Sequence, residues 1–202
     1  MVSYTISHVD TRPSDWSGIP ELEIGSCLFA SPMTERVTAK LCWSEEAFHV
    51  QLRAVEKEIL ARYTEHTDPV WTDSCLEMFF APVEDDKRYF NFECNPNGAV
   101  CFGFGYGRHD RIRLLPFADL KALCHLETVR TAEGWGVNFS MPEELVRLFF
   151  PSFRLESGRK MRANFYKCGD DLSCPDERTW SPITNGNTDF HQSEFFGELI
   201  FG

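Results

Sequence analysis

Two glutamates, Glu77 and Glu93, have the clearest potential for chemistry in this sequence. Each lies in a short run that alternates apolar and polar residues, as β-strands do. On neighbouring strands the two carboxyl groups would face each other, and like charges held close together split their pKa values. A carboxyl pair could hydrolyse a glycoside, or it could simply accept hydrogen bonds from sugar hydroxyls. We favour the second role, because one open sheet face provides no deep catalytic cleft.

A tryptophan, Trp71, precedes the strand that carries Glu77, in the loop DPVWTDS. A loop tryptophan beside a polar sheet face can stack on a sugar ring, and the alternative is that it folds back to cap the core. Trp180, in RTWSPI, has the same character. Trp43 and Trp135 lie in apolar strand patterns and are expected in the core.

The familiar catalytic and cofactor motifs are missing from the sequence. The glycine run at 103–107 is no dinucleotide loop, because Arg108 stands where a third glycine is needed. There is no GxSxG, HExxH or CxxC motif, and the scattered histidines His49, His66 and His191 show no metal-ligand spacing. We therefore predict no catalytic residue, no metal site and no cofactor.

The strands must position these candidates, and turn signals separate many of them. Strands are predicted at 2–9, 20–29, 35–43, 46–55, 74–81, 88–95, 99–106, 122–131, 134–140, 160–168 and 195–201. One short helix is predicted near 141–150, where Ser140 and Glu143 form a capping-box pattern and Leu145, Leu148 and Phe149 share a face. The pattern indicates an all-β fold, an antiparallel β-sandwich of the immunoglobulin or jelly-roll kind, as one domain over 1–202.

Alternation assigns each strand residue to one of two faces. One face is a phenylalanine-rich core, for which we predict burial of Phe90, Phe92, Phe102, Phe104 and Phe165 between two sheets. The opposite face carries planar amides, carboxylates and arginines, which make paired hydrogen bonds. Its members are Gln51, Arg53, Glu77, Asn91, Glu93, Asn95, Arg162 and Asn164. A solvated outer face would also be ordinary, but beside these residues the strand at 99–106 offers only Ala, Cys and Gly on that side. We expect it to leave room for a polyhydroxylated ligand.

Composition narrows the possible partners. The 202 residues include 20 basic and 31 acidic side chains, a formal net charge of −11, which disfavours nucleic acid and anionic membranes. No stretch approaches the ~20 apolar residues of a membrane span. The N-terminus shows no signal-peptide pattern, so a cytoplasmic location is expected. The eight cysteines are interpreted as reduced thiols.

The order of these motifs resembles the domains of carbohydrate-binding module family 9. The similarity runs over roughly residues 15–201. It is carried by Trp71, Asp73 and Glu77 in VWTDSCLEMFFAP, by YFNFECNPNG from Tyr89 to Gly98, by Trp135 in GWGVNFSMP, by Arg162, Asn164 and Tyr166, by Trp180 with Pro182, and by Phe190, His191 and the closing Phe196 to Phe201.

This resemblance implies a sugar-binding β-sandwich in which aromatic side chains clamp a mono- or oligosaccharide ring and polar side chains read its hydroxyls. By position, Trp71 and Glu77 match the stacking tryptophan and its carboxylate, and Trp180 would be a second platform. Structural calcium occurs in some relatives, but the sequence offers no clear ligand cluster for it. A role in carbohydrate catabolism would follow.

Three functions remain open from the sequence. The leading hypothesis is non-catalytic carbohydrate binding by Trp71, Glu77, Asn91, Glu93, Asn95, Asn164, Trp180 and Arg53. The second is a glycoside hydrolase that uses Glu77 and Glu93 as its acid–base pair. The third is a partner-binding β-sandwich with no small ligand, which could pair through an exposed strand edge. The oligomeric state is left undetermined.

Overall fold

The alternating sequence folds into a mostly β structure. The structure is a computed structural model that describes residues 2–114 and 119–202. Within these residues it has fourteen strands and two short α-helices. The strands are β1 (Ser3–His8), β2 (Glu21–Glu23), β3 (Ser26–Phe29), β4 (Thr34–Trp43), β5 (Ala47–Glu56), β6 (Cys75–Ala81), β7 (Tyr89–Cys94), β8 (Val100–Gly105), β9 (Arg111–Arg113), β10 (Glu127–Arg130), β11 (Gly134–Pro142), β12 (Lys160–Cys168), β13 (Glu177–Thr179) and β14 (Gly197–Phe201). The helices are α1 (Leu120–Leu123) and α2 (Glu143–Phe149).

Eleven of the fourteen strands form one continuous path in the order β10-β11-β5-β4-β1-β14-β12-β6-β7-β8-β9, while β2 pairs with β4, and β13 pairs with β12 and β3. Strand β1 divides this path into a β4–β5 half (β4, β5, β11 and β10) and a β6–β7 half (β14, β12, β6, β7, β8 and β9). The first strand pairs in parallel with β14 along Ser3–Ile6 and in parallel with β4 at Ser7 and His8. The other described pairings are antiparallel, so the sheet is mixed where the sequence analysis expected a purely antiparallel one.

The two halves share a hydrophobic core. Phe92 of β7 stacks on Phe139 of β11 with ring centroids 4.2 Å apart, and Phe80 of β6 meets Phe48 of β5 edge-to-face at 5.3 Å. Of the five phenylalanines predicted to be buried, Phe104 is only partly covered, and the other four are buried. Trp43 and Trp135 are buried as expected. The periodicity therefore assigned the core face correctly.

Helix α2 lies where a helix was predicted, but it begins differently. The Ser140 hydroxyl bonds the ring of His49, and no side chain caps the helix. The carboxylate of Glu143 accepts instead from the backbone of Leu155. Leu148 is 77% exposed, and Val146 is the buried residue of this helix. The capping box was therefore wrong, because tertiary partners compete for both of its side chains.

Two short strands were missed by the sequence analysis, the strand predicted at 20–29 is two strands, β2 and β3, and the strand predicted at 122–131 was too long. Strands β9 and β13 have three residues each and form by backbone pairing with β8 and β12. The expected strand at 122–131 is only β10, and α1 precedes it with its N-terminus capped by the carboxylate of Asp119. Both helices of the described chain are far shorter than a membrane span.

Candidate functional site

Glu77 and Glu93 form the floor of a pocket on the β6–β7 half. They lie directly opposite each other on β6 and β7, and alternation turns them away from the neighbouring Met78–Phe92 pair in the core. Both are almost fully buried, with 2% and 3% of their surface exposed. The predicted separation of Glu93 from Phe92 onto opposite faces is confirmed.

The two carboxyl groups differ in their neighbours. Burial raises the pKa of both, and the charge of Glu93 raises that of Glu77 further. Two neighbours of Glu93 lower its pKa against this burial. Nη1 of Arg111 lies 3.5 Å from Oε1 of Glu93, and the Asn91 amide donates a hydrogen bond to it at 2.7 Å. Beside Glu77 lie only the thiols of Cys168 and Cys75 as groups that lower its pKa. The pKa of Glu77 is therefore raised further than that of Glu93, so Glu77 is the member of the pair that holds a proton more readily.

Three arginines on or beside β9 form one wall. Arg111 donates from Nη1 to Nε2 of His191 at 2.8 Å. Because a guanidinium can only donate, Nε2 of His191 must be unprotonated and its proton sits on Nδ1, which lies 2.7 Å from the hydroxyl of Tyr89. Burial first, and then Arg111 and Arg108, lower the pKa of His191 to about 3. This part of the wall therefore consists of a charged Arg111 that is hydrogen-bonded to a neutral His191.

The other two arginines have different partners. Arg108 donates twice to Oδ1 of Asp189, at 2.8 and 3.0 Å. Arg113 donates to the carbonyl of Thr67 at 2.7 Å, and its guanidinium lies over the Trp71 ring, 5.4 Å from the centroid. Arg113 therefore links the basic wall to the tryptophan.

Trp71 stands at the rim, partly exposed, in a 3-10 turn at Val70–Thr72. The buried carboxylate of Asp73 fixes this turn by accepting from the backbone and side chain of Arg62, from the backbone of Tyr63 and from Asn95. From the other side, the Cys168 thiol donates to the Trp71 carbonyl at 3.0 Å. The tryptophan is thus held beside the carboxyl floor, as the sequence analysis required of a sugar platform.

A second wall is acidic. Asp170 and Glu177 lie in and after the connection from β12 to β13, and burial followed by repulsion from Asp170 raises the pKa of Glu177 to about 7. Together the walls enclose a cavity of about 450 Å³, which lies in the range of small-ligand sites, roughly 300–1,000 Å³. Its remaining lining comes from Phe79, Cys168 and residues 187–190.

Asn91 borders this floor without lining the cavity. Its Nδ2 bonds Glu93, and its Oδ1 has no hydrogen-bond partner among the described residues. A Cβ at Gly103 would clash with the Asn91 side chain. The room expected above β8 is therefore filled here by Asn91, and the cavity opens nearer to β6, β7 and β9.

Four of the predicted residues lie away from the cavity. Asn95 bonds Asp73 and the Tyr63 carbonyl, and Asn164 exchanges hydrogen bonds with the backbone of Ser181. Trp180 packs against Phe165 on the core side. Arg53 lies on β5 of the other half, where it donates to Asn138, because the strand at 46–55 does not neighbour β6. The structure thus brings together Trp71, Glu77 and Glu93 from the predicted set, with Asn91 beside them.

The basic and acidic walls were missed. Arg111 and Arg113 are two residues apart and so share a face of β9, a signal that a strand prediction at this position would have exposed. Asp170, Glu177, Asp189 and His191 come from loops or loop ends, which no periodicity identifies.

The histidines do not gather into a metal site. His49 lies between the hydroxyls of Ser44 and Ser140, His66 accepts from the backbone of Val100, and His191 is in the pocket. Across residues 2–114 and 119–202, no three His, Cys, Asp or Glu side chains are grouped to hold a metal ion.

The fold is shared with solved structures. A protein from Bacteroides uniformis to which carbohydrate binding has been ascribed is 26% identical, with a TM-score of 0.78 and 99% of each chain covered. A carbohydrate-binding module of family 9 from Caldicellulosiruptor kristjanssonii, solved with cellotriose, is 14% identical, with a TM-score of 0.69 over 99% of this chain and 93% of that one. The structure of a module of the same family and organism with glucose gives 14% and 0.68, over 100% and 96%. The comparison with curated proteins found no significant match.

The family model described as carbohydrate-binding family 9 matches residues 19–201. This range contains every residue of the pocket. It also agrees with the resemblance that the order of sequence motifs indicated, and with carbohydrate binding as the leading functional hypothesis. The chain belongs to carbohydrate-binding family 9.

Proposed function

We propose that the pocket binds one ring of a mono- or oligosaccharide without chemical change, with Trp71 as the stacking platform. The observation that carries this proposal is a partly exposed tryptophan at the rim of a cavity whose floor is the Glu77–Glu93 pair. A sugar presents C–H groups on one face and hydroxyls around its edge. The aromatic rim and the polar floor match these two kinds of surface.

The two carboxyl groups divide the recognition of hydroxyls. When protonated, Glu77 donates a hydrogen bond to a ring or hydroxyl oxygen, whereas a carboxylate at Glu93 accepts a hydrogen bond from a hydroxyl. The guanidinium groups add donors and Asp170 adds an acceptor. A site with donors and acceptors on several walls suits a ligand whose hydroxyls both donate and accept.

Glucose and cello-oligosaccharides are the first ligands to test, because the family 9 modules from Caldicellulosiruptor kristjanssonii were solved with glucose and cellotriose. Titration calorimetry with these sugars and with a broader glycan panel measures the affinity directly. Binding of no glycan by the wild-type protein would contradict the proposal.

Trp71→Ala tests the platform. By analogy with stacking of bases on aromatic side chains, the loss should be roughly 1–3 kcal/mol, which corresponds to about 5-fold to 140-fold in Kd. Trp71→Phe should retain part of the affinity. Tyr106→Ala is the matched control, because Tyr106 is 58% exposed and does not line the cavity. If Trp71 were instead a core cap, Trp71→Ala would lower the free energy of unfolding by about 3–5 kcal/mol.

Non-catalytic binding also predicts that the wild type does not hydrolyse aryl glycosides. Glu77 and Glu93 rise from the same floor on adjacent strands, whereas the two carboxyl groups of a glycosidase flank the scissile bond. Turnover that disappears in both Glu77→Gln and Glu93→Gln, in folded protein, would overturn this part of the proposal and favour the hydrolase hypothesis.

Binding without a metal ion is part of the same proposal, since the described side chains offer no ligand cluster. Titrations before and after dialysis against EDTA should give the same Kd and the same melting temperature. A fall in either quantity that added calcium restores would contradict it.

A further inference from the structure

We propose that this pocket selects a sugar that carries an anionic oxygen group, and that Arg111 and Arg113 bind that group. The inference rests on the proposed function and adds the class of ligand to it. An acidic sugar such as a uronic acid and a sugar phosphate share this chemistry, so both belong in the test.

The pocket concentrates positive charge, although the protein as a whole is acidic. The protein has 20 basic residues and a net charge of −11, yet three arginines from one short segment line a single cavity. The electrostatic effect of all three reaches the floor, where Arg111, Arg113 and Arg108 lower the pKa of Glu93 against its burial. The acidic residues Asp170 and Glu177 belong to a different wall, so the cavity has a basic side and an acidic side.

Of the three arginines, Arg108 is the one whose charge is balanced by a short ion pair with a carboxylate. It makes two hydrogen bonds to Asp189, at 2.8 and 3.0 Å. The basic side of the cavity therefore depends on Arg111 and Arg113.

Arg111 is largely covered, and its positive charge is incompletely compensated. Only 10% of its side chain is exposed. Its ion pair with Glu93 is 3.5 Å long, against about 2.7–2.9 Å for a close charge-assisted hydrogen bond, and its shorter contact, at 2.8 Å, is to the neutral ring of His191. Burying a charge is costly unless it is paired. An anion of the ligand would supply the missing partner.

Arg113 has no ion pair with any carboxylate of the described chain, and the sequence between 114 and 119 contains no acidic residue. One N–H group is used by the Thr67 carbonyl, and the guanidinium plane lies over Trp71. A pyranose at Trp71 would place a ring substituent beside this guanidinium. Its remaining donors form the planar fork that binds a carboxylate or a phosphate with two hydrogen bonds.

The two charged sides also fix the orientation of such a ligand. An anionic substituent is repelled from Asp170, and from Glu177 in its ionised form, and is attracted to Arg111 and Arg113. The hydroxyl groups then point to the carboxyl groups, which accept hydrogen bonds from them. A neutral sugar would gain no such preference between the two sides.

Titration calorimetry with matched pairs tests the proposal. The pairs are glucuronate with glucose, galacturonate with galactose, and glucose 6-phosphate with glucose, each at low and at high salt. The better acidic member should bind at least tenfold more tightly than its neutral partner, and this ratio should fall at high salt. The comparison of uronates with the phosphate shows which anion the arginines receive.

Arg113→Gln should bring the acidic-to-neutral ratio to within a few-fold of one, and Arg111→Gln should do the same if the variant folds. Arg113→Lys keeps the charge without the planar fork and should retain part of the ratio. Arg130→Gln is the matched control, because Arg130 is exposed on β10, far along the strand order from β9. It should leave the ratio unchanged.

Two results would count against the proposal, and they differ in what they leave standing. If neutral sugars bind as tightly as their acidic partners, or if the ratio survives Arg113→Gln, the inference is wrong while carbohydrate binding stands. If no sugar of either kind binds, the proposed function itself fails. Melting curves of each variant confirm that the comparison is made on folded protein.

Discussion

Glu77 and Glu93 are the same residue type in nearly the same place, yet their surroundings give them different charges. Arg111 and Asn91 stabilise the carboxylate of Glu93, whereas Glu77 is buried beside that charge with thiols for partners. We therefore expect the pair to hold one proton at neutral pH, mainly on Glu77. Alternation alone predicted that the two would face each other, but only their neighbours decide which one is charged.

The raised pKa of Glu77 predicts a pH dependence of stability. A carboxyl group whose pKa is higher in the fold stabilises it fully below the unfolded value, about 4.3, and this contribution is lost as the pH rises toward the folded value. Glu77→Gln removes that loss, so the variant should gain on the wild type as the pH rises, by at most about 1.4 kcal/mol per pH unit. Urea unfolding from pH 5 to pH 8 measures this difference.

Histidines change stability in the opposite direction in part of this range, but they do so in both proteins. Burial lowers the pKa of His49 to about 4 and that of His191 to about 3, so their contribution is lost as the pH falls below about 6.5. The difference between variant and wild type largely removes this effect. Glu84→Gln, at an exposed position, should follow the wild type. Stability curves for Glu77→Gln that run parallel to the wild type would show that Glu77 is not a proton-holding group.

The element that carries Trp71 is a 3-10 turn rather than a strand, and a buried carboxylate fixes it. Asp73 joins the turn to Arg62, Tyr63 and Asn95. This explains why Asn95, predicted from its face to contact the ligand, is instead bonded to the loop that supports the platform. A residue can lie on the ligand-binding face of a strand and still have its side chain occupied by hydrogen bonds within the protein.

Asp73→Asn should weaken both the fold and sugar binding, although Asp73 does not line the cavity. The amide offers one oxygen in place of two and no charge. The expected loss is about 1.5–3 kcal/mol in the free energy of unfolding, as for a hydrogen bond to a charged group. Thermal melting and sugar titration of the same variant measure the two effects.

Asp171→Asn is the control for this prediction. Asp171 bonds the same arginine, Arg62, but its side chain is 51% exposed, and surface ion pairs contribute roughly 0–1 kcal/mol. Equal losses in the two variants would show that Asp73 acts only as a partner of Arg62. Normal sugar binding by a destabilised Asp73→Asn would show that it does not position Trp71.

At the scale of the whole molecule, β1 joins the two halves of the sheet. Ile6, in this strand, is fully buried. It pairs with Phe201 of β14, and the next two residues of β1 pair with β4. The pocket lies on the outer face of the β6–β7 half, while the β4–β5 half covers the inner face. The stability of the pocket floor therefore depends on a core that the other half completes.

Ile6→Ala should lower the free energy of unfolding by about 2–5 kcal/mol, as truncation of a buried isoleucine does. Ile112→Ala, at a residue that is 60% exposed on β9, should change it by less than about 0.5 kcal/mol. Denaturant unfolding followed by tryptophan fluorescence and by circular dichroism measures both. A loss at Ile6 no larger than at Ile112 would contradict the role assigned to β1.

The sequence by itself determined which face of each strand is apolar, because side chains alternate on a strand whatever its neighbours are. That was enough to separate Phe92 from Glu93, to place Trp43 and Trp135 in the core, and to select Glu77 and Glu93, whereas Trp71 was selected as a loop tryptophan beside their face. The tertiary structure alone decided which strands are adjacent, since pairing joins residues far apart in the chain and leaves no local period. It moved Arg53 to the other half, turned Trp180 toward the core, and brought Arg111, Arg113, Asp170 and Glu177 around one cavity. Chemical type and face are local properties of this chain, whereas the composition of the site depends on long-range contacts.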